Sequence, residues 1–279
     1  RRIHFQASRR MGLDEVANMI LPVAVVIPTH NSEKTIGRAL KSVLDQEQLP
    51  SEILVIDDCS SDSTVQLVSN TTTPPGVSLK IMQLATNEGP AAARNHGWDA
   101  TTSEFIAFLD SDDSWHKAKL AIQTRVMRSN PEIEISGHLT GESIPIDLLI
   151  EPQTRLFSLR KFLIRNRVST PTVMVRRTVV DRFDSSFWYA EDYELWLRHL
   201  TQHTGILRIE LPLAHLHKAE FGESGLSARL YQMYRGELQA VVKLRTSGRL
   251  SHLYSWLTMS WMALKFVLRL IRTRIRQLK

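Results

Sequence analysis

The chain is poor in cysteine: among its 279 residues only Cys59 is one. An intramolecular disulfide is excluded, and with it a fold held by bridges. Long apolar runs are missing too. No stretch reaches the roughly 18 uncharged apolar residues that a spanning helix needs. The N-terminal segment carries charge but no apolar core, so no secretory leader is expected there. No Gly-x-Gly-x-x-Gly follows an apolar run, which argues against a dinucleotide-binding turn. Acid is absent from both ends. Residues 1–10 carry Arg1, Arg2, Arg9 and Arg10; residues 265–279 carry Lys265, Arg269, Arg272, Arg274, Arg276 and Lys279. These ten charges stand against a net charge of +6, so the residues between them carry net −4. A slightly acidic body with basic ends points away from nucleic acid and toward a polyanionic surface, most simply a membrane, met by the ends. Solvated tails are the alternative.

What is present is an ordinary globular composition, 43% hydrophobic and 23% charged, in a chain long enough for a sizeable core. "VAVVI" (23–27) reads as a buried strand, and Ile36, Leu40, Val43 and Leu44 then recur at helical spacing, with Ser32 as a candidate cap. "EILVID" (52–57), "VSLKIMQL" (77–84) and "EFIAFL" (104–109) read as further strands. Helices are expected between them at 63–70 and 90–100. Alternation of this kind predicts an α/β fold with a mostly parallel central sheet, whose ligands bind beyond the carboxyl ends of the strands. Further on, "TPTVMV" (170–175) reads as a strand and "EDYELWLRHL" (191–200) as a helix that buries Tyr193, Leu195, Trp196 and Leu200.

Polar residues collect at the strand ends: Thr29 and Asn31, Asp57 and Asp58, and Asp110 to Asp113. Asp110-x-Asp112 can hold Mg2+ or Mn2+ through carboxylate oxygens, with substrate phosphate completing the shell. An aspartate at 57–58 can accept hydrogen bonds from a base or a sugar, and Arg94 offers a fork for phosphate or base. Each acidic pair alone reads equally well as a helix cap.

Four ordered blocks carry a resemblance. "VAVVIPTHNSEKTIGRALKSVLDQ", "EILVIDDCSSDST", "NEGPAAARNHGWDATTSEFIAFLDSDD" and "TPTVMVRRTVVDRFDSSFWYAEDYELWLRHL" resemble the family 2 glycosyltransferases of the GT-A fold, over roughly residues 22–200. The resemblance implies an inverting, metal-dependent enzyme that uses a nucleotide-sugar donor, with UDP expected. Position by position, it implies that Pro28, Thr29 and Asn31 line the nucleotide pocket and that Asp58 contacts the base. Arg94 is implied near the base or diphosphate. Asp110 and Asp112 form the D-x-D, with Asp112 the direct metal ligand. Asp192 is implied as the catalytic base, with Glu191 beside it raising its pKa and standing as the rival base. His217, in "HLHKAEFGESGLS", resembles a late basic motif near the diphosphate and metal, although an arginine is missing and residues are inserted before Ser224. Cys59 replaces the family's common glycine, so a slightly different turn is expected.

The expected organisation is a basic extension (1–20), a GT-A domain (21–245) and a basic amphipathic helix (246–279). In that helix Leu253, Trp256, Leu257, Trp261, Leu264, Val267, Leu268 and Ile271 share one face. Ser255, Thr258, Lys265, Arg269 and Arg272 form a polar stripe opposite. It either lies in a membrane interface or docks on the domain. The expected place is the cytoplasmic, inner face of the cell membrane. The expected role is synthesis of a cell-surface polysaccharide or glycolipid, with acceptor specificity set by residues 131–170 and 201–250. Two alternatives stand beside it. One is a haloacid-dehalogenase-like phosphohydrolase with Asp110 as nucleophile; the other is an inactive transferase-like binding subunit.

Overall fold

The computed structural model describes residues 20–142, 144–217 and 230–277, with side chains as far as Ile271. The basic N-terminal segment and residues 218–229, which hold most of the "HLHKAEFGESGLS" motif, lie outside the described residues.

The fold is built on a strand that is apolar on both sides. In β1 (Leu21–Thr29), Val23, Val25 and Ile27 enter one core while Ala24 and Val26 enter the other. In β2 (Pro50–Asp57), Ile53 and Val55 divide from Leu54 and Ile56 in the same way. This is the pattern of a parallel sheet covered on both faces. Helix α1 (Ile36–Leu44) leads from β1 to β2, and α2 (Thr64–Ser69) leads to β3 (Ser78–Gln83). Helix α3 (Pro90–Ala100) precedes β4 (Phe105–Phe108). Then follow β5 (Ser114–Trp115), α4 (Lys119–Ser129), β6 (Ile135–Thr140), β7 (Thr154–Phe157) and α5 (Leu159–Ile164). The chain continues through β8 (Met174–Arg176), α6 (Glu191–Leu200), β9 (Ile206–His215), α7 (Leu230–Thr246) and α8 (His252–Gln277).

The sheet order is β3-β2-β1-β4-β8-β6-β9-β5, with β7 paired to β9. Strands β3, β2, β1 and β4 are parallel, and β8 is antiparallel to β4. The chain steps outward from β1 to β3, then returns to pair β4 with the other side of β1. A crevice opens where the connections diverge, beyond the ends of β1 and β4. It is the place the polar strand ends point to. Helix α3 packs closely beneath it: a Cβ on Gly97 would lie 2.5 Å from Val26 Cγ1.

Two local readings differ from the sequence expectation, and one backbone feature stands beside them. Ser32 does not cap α1. Its carbonyl accepts the N–H groups of Thr35 and Ile36, and its hydroxyl pairs with Ser111 at 2.9 Å. Residues 170–172 form a 3-10 turn rather than a strand, since Pro171 has no N–H to give a ladder. Cys59 takes φ 63°. This is a left-handed conformation that glycine adopts without cost, and the cysteine side chain imposes strain there.

The C-terminal helix docks on the domain through residues of its polar side. Ser255, Thr258 and Met262 of α8 are buried, and Phe266 stacks on Tyr234 of α7 at 4.5 Å. The apolar stripe faces outward: Leu253 is 68% and Trp256 62% exposed, and Leu257, Leu264, Val267 and Leu268 are exposed with them. No described helix is long and apolar enough to cross a membrane.

Candidate active site

The loop after β1 and the loop after β2 are sewn together side by side. Asn31, at φ 49°, donates its N–H to Ser60 Oγ, and its side-chain oxygen accepts the Ser61 N–H at 2.9 Å. The Ser32 N–H donates to Thr64 Oγ1 at 2.8 Å. Together with Glu33, Lys34, Ser111 and Asp112, this loop lines a cleft of about 490 Å3 at the β1–β4 switch. Thr29, the last residue of β1, is buried, with its Oγ1 unpartnered among the described residues. Pro28 is the penultimate residue of β1; it is buried and does not line this cleft.

Asp58 is buried, and both its carboxylate oxygens accept backbone N–H groups, from Glu88 at 2.7 Å and Gly89 at 2.8 Å. It therefore anchors the entry to α3. A carboxylate has about four lone-pair sites, so a further donor from a ligand can still be accepted.

Arg94 does not open to the rim as the sequence suggests. It is 5% exposed. Its Nη2 donates to Asp110 Oδ1 at 2.8 Å and its Nη1 to Glu191 Oε1 at 2.7 Å. Burial works against its charge, but the two carboxylates outweigh burial and raise its pKa. One guanidinium thus ties the end of β4 to the start of α6.

Asp112 follows in the D-x-D, and its carbonyl accepts Arg38 Nη2 at 2.6 Å. His217 lies beside it. The His217 Nε2 pairs with Ser114 Oγ at 2.8 Å, and its backbone N–H meets Asp113 Oδ1 at 3.3 Å. Burial first, then the charges of Arg38 and His215, lower the His217 pKa, while Asp112 opposes them. The lowered pKa favours the neutral imidazole, the form that binds metals. Asp110, Asp112 and His217 do not by themselves close into a compact three-ligand cage. Among the described residues only Glu134, His199 and His203, at the far end of α6, do so. The carboxylate set at the cleft suits a hard cation that takes part of its shell from phosphate.

Asp192 and Glu191 open α6, preceded by Ala190 at φ 58°. This left-handed alanine is costly, and it is held by packing. A Cβ on Gly236 of α7 would lie 2.3 Å from the Tyr189 carbonyl oxygen, so only glycine lets α7 press on the turn. Lys243 of α7 adds ion pairs to Glu194 at 2.8 Å and Asp184 at 2.5 Å. Asp192 is half-buried. Its Oδ1 accepts the Tyr193 N–H at 2.6 Å, and its Oδ2 accepts Asn166 Nδ2 at 3.3 Å. Burial, and next the Glu191 charge, push its pKa up to about 7, against the pull of Arg94 and the two hydrogen bonds.

The sequence reading missed Asn166, Arg38 and the Ser32–Ser111 contact. Asn166 sits in an irregular segment with no periodic signal, although that segment was the one assigned to the acceptor.

The comparisons bear on the family and the fold. A sequence model described as Glycosyl transferase family 2 matches residues 24–181, more than half of the chain. The chain belongs to glycosyl transferase family 2. This glycosyltransferase is 35% identical over 181 residues to the UDP-Glc:alpha-D-GlcNAc-diphosphoundecaprenol beta-1,3-glucosyltransferase WfgD of Escherichia coli. The match covers 63% of this chain and 68% of that one. Its fold is shared with Staphylococcus aureus TarS 1-349, solved with UDP-GlcNAc, at TM-score 0.64 and 23% identity, over 86% of this chain and 71% of that one. It is shared as well with the mannosyltransferase PcManGT of Pyrobaculum calidifontis, solved with GDP-Man and Mn2+. There the TM-score is 0.64 at 16% identity, over 92% and 81% of the two chains. The fold is thus of the GT-A glycosyltransferase type. Family membership goes against the phosphohydrolase reading, and so does Asp110, whose carboxylate is engaged by Arg94.

Removing the guanidinium would strand the buried Glu191 carboxylate and leave Asp110 unpaired. Arg94→Met is expected to cost about 3 kcal/mol of stability and to abolish transfer. Urea unfolding of the two proteins checks it; an unchanged midpoint would rule out a structural role for the bridge.

Proposed function

We propose that the enzyme is an inverting glycosyltransferase that moves a sugar from a nucleoside diphosphate donor, UDP by preference, to a hydroxyl of a cell-surface glycan or glycolipid. The observation that carries this is Asp192. It is a half-buried carboxyl with a raised pKa, joined through Glu191 and Arg94 to the D-x-D beside the cleft. In this reading Pro28, Thr29 and Asn31 line the nucleotide site, with Asp58 toward the base. Asp112, with Asp110 and His217 close by, holds Mn2+ or Mg2+. Such a cation, when bound, neutralises charge on the departing diphosphate as a Lewis acid. Asp192 takes the proton of the acceptor hydroxyl as its oxygen bonds to the anomeric carbon and the bond to the diphosphate oxygen breaks. Attack from the opposite face inverts the configuration. Glu191 acts on Asp192 through its charge, and Arg94 sets their position. WfgD supports the donor by its name, and the TarS complex supports it by the ligand it holds.

We infer that α8 lies on the anionic surface of the membrane, at its inner, cytoplasmic face. The helix presents an exposed apolar stripe with two tryptophans, bordered by Lys265 and Arg269, over roughly 39 Å of helix. That arrangement suits an interfacial helix. The basic first 20 residues would add charge to the same contact, and the catalytic unit is residues 21–245.

Three measurements test these readings. Thermal unfolding with nucleoside diphosphates should show a rise with UDP that requires Mn2+ and disappears in Asp112→Asn. A rise with GDP instead would reassign the donor. Asp192→Asn should keep that rise and lose at least about a thousandfold in kcat. The base works only when ionised, so native kcat should climb with pH and level off above about 7. A flat profile from pH 5 to 9, or normal turnover by the asparagine variant, would remove Asp192 as base. Trp256→Ser with Leu257→Ser should release the protein from anionic vesicles; unchanged co-sedimentation would place the membrane contact elsewhere.

A further inference from the structure

The loop after α5 touches two functional elements within three residues. At its start, the Ile164 carbonyl accepts both Trp261 Nε1 and Lys265 Nζ of α8, each at 3.0 Å. Two residues on, Asn166 Nδ2 donates to Asp192 Oδ2. Arg165 and Arg167 flank that asparagine. Arg165 is exposed and Arg167 half-buried, and among the described residues neither forms an ion pair with a carboxylate. Arg167 lies over the Phe157 ring at 5.3 Å, which steadies its guanidinium. The nearby Arg208 is already neutralised by Glu210 at 2.9 Å.

Positive charge is therefore concentrated here, with Glu237 the one described carboxylate acting on Lys265. Lys265 is lowered in pKa by burial and by the charges of Arg269, Arg165 and Arg167, with Glu237 opposing. Arg167 is lowered by burial, by Arg165 and by Arg208. The cluster does not line the donor cleft. Arg165 and Arg167 are tied to Asp192 through Asn166, which stands between them in the chain. Guanidinium forks recognise phosphate.

We propose that Arg165 and Arg167 bind the phosphate or diphosphate that joins the acceptor sugar to a lipid carrier. The proposal rests on Asp192 being the base. The exposed stripe of α8, gripping the same loop, favours a lipid-borne phosphate over a soluble one. The carrier lies along the stripe, its phosphate meets the two arginines, and the sugar reaches Asp192.

The test uses the full chain with UDP and Mn2+ filling the donor cleft, and titration calorimetry with farnesyl diphosphate. The native enzyme should bind it beside UDP. Arg165→Gln/Arg167→Gln should bind it at least about tenfold more weakly while its affinity for UDP and its melting temperature stay unchanged. Equal binding by both proteins, or displacement of UDP by farnesyl diphosphate, overturns the proposal. Ribitol 5-phosphate bound more tightly than farnesyl diphosphate would overturn the lipid carrier in favour of a phosphate polymer. A native protein that binds farnesyl diphosphate through the arginines but no nucleotide would instead sink the donor reading and leave the arginine site standing.

Discussion

The arrangement depends on one buried cation. Arg94 joins Asp110, at the end of a parallel strand, to Glu191, at the first residue of a helix nearly a hundred positions later. Two carboxylates brought that close to buried surroundings would repel each other and resist desolvation. The guanidinium removes the repulsion and fixes the distance between the two halves of the site. The three aspartates after Phe108 are tolerable for the same reason. One is paired with Arg94, one accepts a backbone N–H from the β9 exit, and one is turned to the cleft where a cation is expected.

Strain is placed with the same economy. Among the described residues the three non-glycine residues with left-handed backbone are Asn31, Cys59 and Ala190, and each stands in a loop near the candidate site. Such conformations survive where packing over-determines them. At Asn31 the determinant is a set of hydrogen bonds to Ser60 and Ser61. At Ala190 it is the pressure of α7 through Gly236.

Much of this was legible in the sequence. The strands β1 to β4, the helix at 90–100 and the helix at 191–200 follow from apolar runs and spacing, because a doubly covered sheet leaves a continuous apolar signature. The positions at strand ends were legible because topology alone puts ligands there. Partners were not. Arg94 reads as a fork for ligand, and nothing in a linear string shows that Asp110 and Glu191 converge on it. Asn166 carries no periodic signal at all. The C-terminal helix shows a further limit. Periodicity separates its faces correctly but does not say which face docks. Here small and flexible side chains, Ser255, Thr258 and Met262, allow close approach to the domain and leave the bulky apolar face outside.

Gly236 makes the order of synthesis matter. The turn that aims Asp192 is pressed into shape by a helix that leaves the ribosome well after the turn itself. Until α7 has emerged and docked, Ala190 lacks the packing that Gly236 permits, and only the Arg94–Glu191 bridge and the Asn166–Asp192 bond hold the start of α6. The turn before α6 thus takes its full packing only once the later helix is in place, whereas the sheet and the cleft beside it are built from earlier residues.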